Sequence, residues 1–179
     1  MVRLAIELFD SARQAGLHEL GEPERELLEY TALLHDIGAF ISYNNHHVHT
    51  YYLIRNAELL GFDQNEIDVM AAAAFFHRMG LPTKKHAEFA ELDKRLREPV
   101  KLMSTLLRLA ESLDRSHMGV ISRARLRAED KKRVVLEIQA DQDCQLELWG
   151  IQERQKAIEK AFQRSLKVET VTAPSPSVR

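Results

Sequence analysis

The sequence predicts a mainly α fold of the α+β class, a helical bundle followed by a small antiparallel sheet with one packed helix. Three observations carry this. Apolar residues recur at three- and four-residue spacing as far as Ser116, which is the period of a helix face. From Val120 the period drops to two: Arg123, Arg125 and Arg127 alternate with Ala124, Leu126 and Ala128, and Val134, Leu136 and Ile138 repeat the pattern. Only 7 Gly and 5 Pro stand among 179 residues rich in Leu, Ala, Glu, Arg and Lys, too few turn-formers for an all-β chain. A hydrophobic content of 45% suffices for one sizeable core with a small appendage. The expected division is a bundle over 1–119, an α+β appendage over 120–171 and a flexible tail over 172–179.

The first helix is expected from Val2 to Ala15, with Leu4, Leu8, Ala12 and Ala15 on one stripe and Gly16 as its stop. Its pattern is already running at Val2 with no capping residue in front, so the chain reads as a fragment of a longer one. Pro23 suits a first helical turn, and the second helix runs from there to Gly38. Its stripe of Leu27, Leu28, Thr31 and Leu34 carries His35 and Asp36 to the edge of an apolar face. A third helix is expected from His46 to Gly61 with His46, His49, Leu53, Ala57 and Leu60 on one side. Asp63 and Glu66 form a capping box for a fourth, whose stripe is Ile67, Met70, Ala74 and His77 and which breaks at Leu81-Pro82. A short helical pattern covers Ala87 to Leu92, and Pro99 opens a long helix to about Ser116 on a stripe of Met103, Leu106, Ala110 and Leu113, with Glu111 on its flank. Beyond the two alternating segments, Leu146 to Leu148 reads as a strand, Gly150 to Phe162 as an amphipathic helix, and Leu166 to Val171 as a closing strand. The tail with Pro174 and Pro176 reads as loose.

A formal net charge of −2 argues against general affinity for nucleic acid or acidic membranes, so any anion site must be local. Cys144 is the one cysteine, which excludes an intrachain disulfide and makes a reducing compartment the default. The longest apolar run, Val69 to Phe76, is far too short to cross a bilayer, and a cytoplasmic protein with no membrane and no specific nucleic-acid partner is expected.

Four helices each present a polar group at the inner face: His35 with Asp36, His46 with His49, His77, and Glu111. A buried imidazole or carboxylate must be paired, hydrogen-bonded or given a metal. Imidazole and carboxylate suit divalent Mn, Fe or Zn, with Mg also conceivable, and such an ion can activate water for phosphoanhydride hydrolysis, for which Asp36 is the candidate catalytic residue. The alternative is a structural module whose histidines are satisfied by hydrogen bonds. Two basic groups are candidate anion sites: Arg123, Arg125 and Arg127 along one strand face, and Arg78 with Lys84 and Lys85 beside His77. For the strand, a solvated face that discourages edge pairing is the competing reading.

Leu33-Leu34-His35-Asp36-Ile37-Gly38, His46-His47-Val48-His49-Thr50-Tyr51-Tyr52-Leu53-Ile54-Arg55-Asn56, Phe76-His77-Arg78 and Leu107 through His117 occur in this order and spacing. Together they resemble the C-terminal, HD-type domain of the exopolyphosphatase and guanosine pentaphosphate phosphohydrolase family, within the HD superfamily of metal-dependent phosphohydrolases. The resemblance implies a two-part enzyme whose active site lies in an N-terminal actin-like half. This sequence has neither GxGxxG nor a P-loop. It implies a C-terminal part that helps bind polyphosphate or a phosphorylated guanine nucleotide and forms a homodimer. Residue by residue, His35 and Asp36 match the HD pair, His46 and His77 match additional metal histidines, and Glu111 stands where the superfamily usually has its last metal Asp. The first HD histidine would fall just before Val2. The expectation is therefore a domain that binds phosphate-rich substrate and self-associates, weak or inactive in hydrolysis alone. The alternative is a freestanding metal-dependent HD phosphohydrolase acting on a nucleotide or phosphoanhydride.

Overall fold

The structure, a computed structural model, describes residues 1–172. Its core is built around α4 (Gln64–Phe76), in which every residue from Val69 to Phe76 is buried. That explains why this stretch lacks a polar stripe: it packs on α2 (Glu22–Leu34), α3 (His46–Asn56) and α6 (Arg97–Leu113) at once. The expected capping box is present, Glu66 N–H donating to Asp63 Oδ1 at 3.0 Å and Asp63 N–H to Glu66 Oε2 at 2.8 Å. α1 (Val2–Gln14) buries Leu4, Leu8 and Ala12 against α2 and α6, and a single turn, α5 (Ala87–Ala90), bridges α4 to α6.

Two helices are shorter than their apolar patterns. α2 stops at Leu34, and the chain re-forms as a 3-10 turn over Ile37–Phe40, so Gly38 belongs to a separate element. α3 stops at Asn56, leaving Ala57 and Leu60 exposed, and its buried face is His46, Thr50 and Ile54, one position round from the expected stripe. The reason is local: Asn45 adopts φ 57°, so α3 starts with His46 already turned inward.

β1 (Ile121–Ala128) and β2 (Arg133–Ala140) pair antiparallel, but β2 pairs with β3 (Ser165–Thr172) in parallel. The sheet, in order β1-β2-β3, is thus mixed rather than antiparallel. The physical cause is α7 (Gln145–Phe162), a crossover helix between β2 and β3 that returns the chain in the same direction. Leu146 to Leu148, expected as a strand, is the first turn of α7, since three alternating residues fit either period. Gly150, expected as that helix's start, lies inside it: a Cβ there would meet Arg115 Cδ at 3.1 Å and Ser112 O at 3.2 Å, so glycine lets α7 approach α6. The bundle also closes the edge of β1, with Glu7 accepting from Ala124 N–H and Ser11 Oγ from Leu126 N–H, each at 3.0 Å. Ile121, Leu126, Leu136, Ile138 and Ile151 share one apolar cluster with the bundle residues, so the core runs across the 119/120 boundary. Thr172 closes β3, and the rest of the expected tail, with Pro174 and Pro176, lies outside the described residues.

Candidate functional site

His35, Asp36, His46 and His77 converge from three separate places: the end of α2, the first residue of α3 and the end of α4. Each ring is oriented in the same way. His35 Nδ1 lies 2.8 Å from Ala32 O, His46 Nδ1 lies 3.1 Å from Tyr43 O, and His77 Nδ1 contacts Ala74 O. A carbonyl can only accept, so each Nδ1 carries the proton and, in a neutral ring, each Nε2 carries a lone pair. Those three Nε2 atoms face Asp36: His46 Nε2 is 3.1 Å and His77 Nε2 3.7 Å from Oδ1, and His35 Nε2 is 3.3 Å from Oδ2. The Nε2 atoms of His46 and His77 are buried and have no hydrogen-bond partner among the described residues. Ligand atoms of His35, Asp36 and His77 all lie within 4.8 Å of one another, and His46 adjoins them through Oδ1.

The electrostatics follow. Burial opposes a charge on His35, but its hydrogen bond to Asp36 and that carboxylate's charge outweigh it, and the net shift is upward. Asp36 is held well below the usual carboxylate range, first by the hydrogen bond to His35. Burial drives His77 down, so its ring stays neutral and its Nε2 is an electron-pair donor at neutral pH. Converging lone pairs and a carboxylate with too few donors among them form a donor set that suits a divalent cation, and the residues fit one.

Three residues hold this cluster in place. Thr50 Oγ1 donates to His35 O and accepts from Gly38 N–H, both at 3.0 Å, fastening the chain to α3 on each side of Asp36. A Cβ on Gly38 would overlap His46 O and Thr50 N and stand 2.8 Å from His49 Cβ, so only glycine allows this approach. Arg108, 1% exposed, donates from Nε to His77 O at 3.2 Å and from Nη2 to the carbonyls of Phe76, Met79 and Gly80, occupying acceptors that the end of α4 leaves open. Burial lowers its pKa to about 10, so it remains charged. Sequence reasoning assigned no role to Thr50 or Arg108. The signal for Arg108 was an arginine enclosed by Leu106, Leu107, Leu109 and Ala110.

The cluster opens into a cleft of about 280 Å³, with Asp36 and His46 on its wall and Arg78, Glu111, Arg115 and Arg154 around it. Glu111, expected as a ligand, stands outside the three-residue cluster and accepts from Arg78 Nη1 at 3.0 Å. The Arg115 guanidinium stacks 4.3 Å from the Trp149 ring centroid. Arg115 and Arg154 have no carboxylate within 4.0 Å among the described residues. Arg115 and Arg154 were not assigned as anion ligands from sequence, because they come from the two ends of an α6–α7 contact that no spacing encodes. Of the basic group predicted around His77, only Arg78 lines this cleft; Lys84 and Lys85 lie exposed in the following turn. Arg123, Arg125 and Arg127 do share the exposed face of β1. Arg127 is tied to Glu137 at 2.7 Å and Glu169 at 3.6 Å, while Arg123 and Arg125 border a shallow recess with Glu7 and Asp10. His49 contributes no ligand atom to the cluster.

The sequence model of the family described as Ppx/GppA phosphatase, domain III, matches residues 1–155. The chain belongs to the Ppx/GppA phosphatase family. That match takes in every residue of the His/Asp cluster and of the cleft, Arg154 included. A guanosine-5'-triphosphate,3'-diphosphate pyrophosphatase of Pseudoalteromonas translucida (strain TAC 125) is 44% identical over 55 residues. Those residues are 31% of this Ppx/GppA chain and 11% of that relative, so the chain spans a small part of the relative it matches. Among the described residues, no helix of this Ppx/GppA domain is long and apolar enough to cross a membrane.

Proposed function

We propose that this chain is an HD-type domain of a cytoplasmic Ppx/GppA protein. It holds a divalent cation at His35, Asp36, His46 and His77 and phosphoryl groups of polyphosphate or a phosphorylated guanine nucleotide beside it. The observation that carries the reading is the pair of buried, partnerless Nε2 atoms on His46 and His77, both directed at Asp36. A nitrogen lone pair facing a carboxylate oxygen inside a protein is repulsive unless a cation or proton lies between them. Three imidazoles favour Mn, Fe or Zn over Mg, which prefers oxygen ligands. When bound, such an ion supplies polarisation of a phosphoryl oxygen and a lowered pKa for bound water. The chain's own residues do the rest: Arg115, stacked on Trp149, and Arg154 offer an anion guanidiniums that no carboxylate engages among the described residues, and Arg78 adds a third at the same cleft.

The role is binding, with little hydrolysis by this domain alone, because Glu111 is engaged by Arg78 rather than placed among the histidines. Self-association is the second part of the reading, and the exposed Leu33, Phe40, Ile41 and Tyr43 support it. The test is elemental analysis and calorimetric titration with Mn²⁺ on the wild type and on Asp36→Ala, followed by polyphosphate titration of both. Stoichiometric Mn²⁺ binding lost in the variant is expected, and absence of any metal binding would leave a purely structural histidine cluster. Rapid Mn²⁺-dependent phosphate release, lost in His35→Ala, would instead favour a freestanding phosphohydrolase.

A further inference from the structure

Arg78 and Glu111 reach the cleft from different elements. Arg78 follows His77 directly at the end of α4, and Glu111 lies in the last turn of α6. Their side chains meet at 3.0 Å while remaining 36% and 24% exposed, so the pair is partly screened and its two halves can separate at modest cost. Each half is next to the cluster. The charge of Glu111 acts on His35, and the charge of Asp36 acts on Arg78. Arg115 and Arg154 stand on the same rim, without carboxylate partners among the described residues. Among the described residues, Arg78 is therefore the one rim guanidinium paired with a carboxylate, and Glu111 is the one carboxylate lining the cleft besides Asp36.

From this geometry we propose that the Arg78–Glu111 pair is a latch coupling two ligands of the cleft, so that a divalent cation and a phosphoryl anion each release the half of the pair that the other ligand needs. The proposal rests on the reading above, in which the cluster holds a cation and the rim an anion. With neither ligand bound, Glu111 neutralises Arg78. A cation competes for the Glu111 carboxylate and leaves Arg78 free for a phosphoryl oxygen. A phosphoryl group competes for Arg78 and leaves Glu111 free to face the cation. Linkage requires the effect to be reciprocal: the factor by which the cation tightens the anion equals the factor by which the anion tightens the cation. Part of that factor is direct attraction between the two ligands. The part belonging to the latch is what disappears when the pair is dismantled, and for a partly screened ion pair it should be about fivefold.

The experiment uses the whole chain, Mn²⁺ as the cation and methylphosphonate as a weakly chelating anion. The proteins are wild type, Glu111→Gln, Arg78→Gln and the double variant, with circular dichroism confirming the fold of each. Removing the Glu111 charge will tighten methylphosphonate in any background, so the decisive quantity is the difference between backgrounds. The latch predicts that Glu111→Gln tightens metal-free methylphosphonate binding about fivefold more when Arg78 is present than when it is Gln. It also predicts that Mn²⁺ enhances methylphosphonate binding about fivefold more in wild type than in the double variant. Equal gains in both backgrounds, with equal Mn²⁺ enhancement, overturn the latch while leaving the two sites standing. Failure of wild type to bind Mn²⁺ or methylphosphonate separately overturns the underlying reading, and the latch with it.

Discussion

Asp36 Oδ1 lies 3.1 Å from His46 Nε2, a nitrogen whose ring has its proton on the far side, directed at Tyr43 O. Two electron-rich atoms thus face each other at hydrogen-bond distance with no hydrogen assigned between them, and His77 Nε2 repeats the arrangement at 3.7 Å from the same oxygen. A cation at this point should stabilise the fold. At a free Mn²⁺ concentration a hundred times its dissociation constant the gain should be about 2.7 kcal/mol. A rise in melting temperature with Mn²⁺, absent in Asp36→Ala and in His46→Ala, is the expected result; an unchanged melting temperature in wild type would remove the cation from the account.

Gly38 sits where a side chain would overlap α3 backbone. Gly38→Ala must push Ile37–Phe40 away from α3, and about 2–4 kcal/mol of destabilisation is expected. Because Thr50 ties His35 O and Gly38 N–H together, Mn²⁺ binding should weaken as well. Gly80→Ala is the control: nothing lies within 4 Å of its Cβ position, and its stability should stay within about 0.5 kcal/mol of wild type. Urea denaturation of the two variants side by side checks the difference.

Arg108→Met keeps the apolar stem and deletes the guanidinium that serves the carbonyls of Phe76, His77, Met79 and Gly80. Buried acceptors would lose their donors, so a loss of about 2–4 kcal/mol is expected, measurable by chemical denaturation. Amide exchange in the segment after α4 should accelerate more than exchange in α1.

Trp149, the one tryptophan of the chain, is 47% exposed and stacked on Arg115, which makes it a reporter for the cleft. Adding polyphosphate should change its emission, with a midpoint that weakens steeply as salt rises. Arg115→Ala and Arg154→Ala should each weaken binding and flatten the salt slope. Arg123→Ala with Arg125→Ala should do neither, and the reverse pattern would move the anion site to β1.

His18 bridges the α1–α2 connection. Its Nε2 lies 3.0 Å from Phe9 O, which makes it the donor there, and its Nδ1 accepts from Leu20 N–H at 3.2 Å. The bond accepted at Nδ1 needs the neutral ring, whereas the Nε2 donor bond survives protonation, and burial is the main cause of a pKa below 6.5. The unfolded chain then binds the proton more readily than the folded one. The His18 contribution to stability is fully present above about pH 6.5 and is lost as pH falls through that value towards the folded pKa. Between pH 7.5 and 5.5 wild type should lose more stability than His18→Gln in urea denaturation; parallel losses would sink the assignment.

Much of this was legible one element at a time. Asp63 and Glu66 announced the start of α4, the shift in period at Val120 announced strands, and the ordered motifs from Leu33 to His117 pointed to the family that residues 1–155 match. The histidines were legible because the stripes of α2 and α4 run on to His35 and His77 and His46 opens α3 on its buried side, and period 3.6 is a local property of the chain.

What remained hidden depends on where elements meet. The chain after α2 is held by Thr50 and Gly38, the inner face of α3 is set from the left-handed Asn45, the direction of β3 by the crossover of α7, and the fate of Glu111 by Arg78, 33 residues away in sequence. Arg115 and Arg154 meet at one cleft because Gly150 lets α7 lie close to α6. The sequence by itself determined the residue types and the period of most elements. Only the tertiary structure decided which of them share an ion, a carbonyl or a cleft, because those pairings are set by packing between helices distant in the chain, which no local periodicity contains.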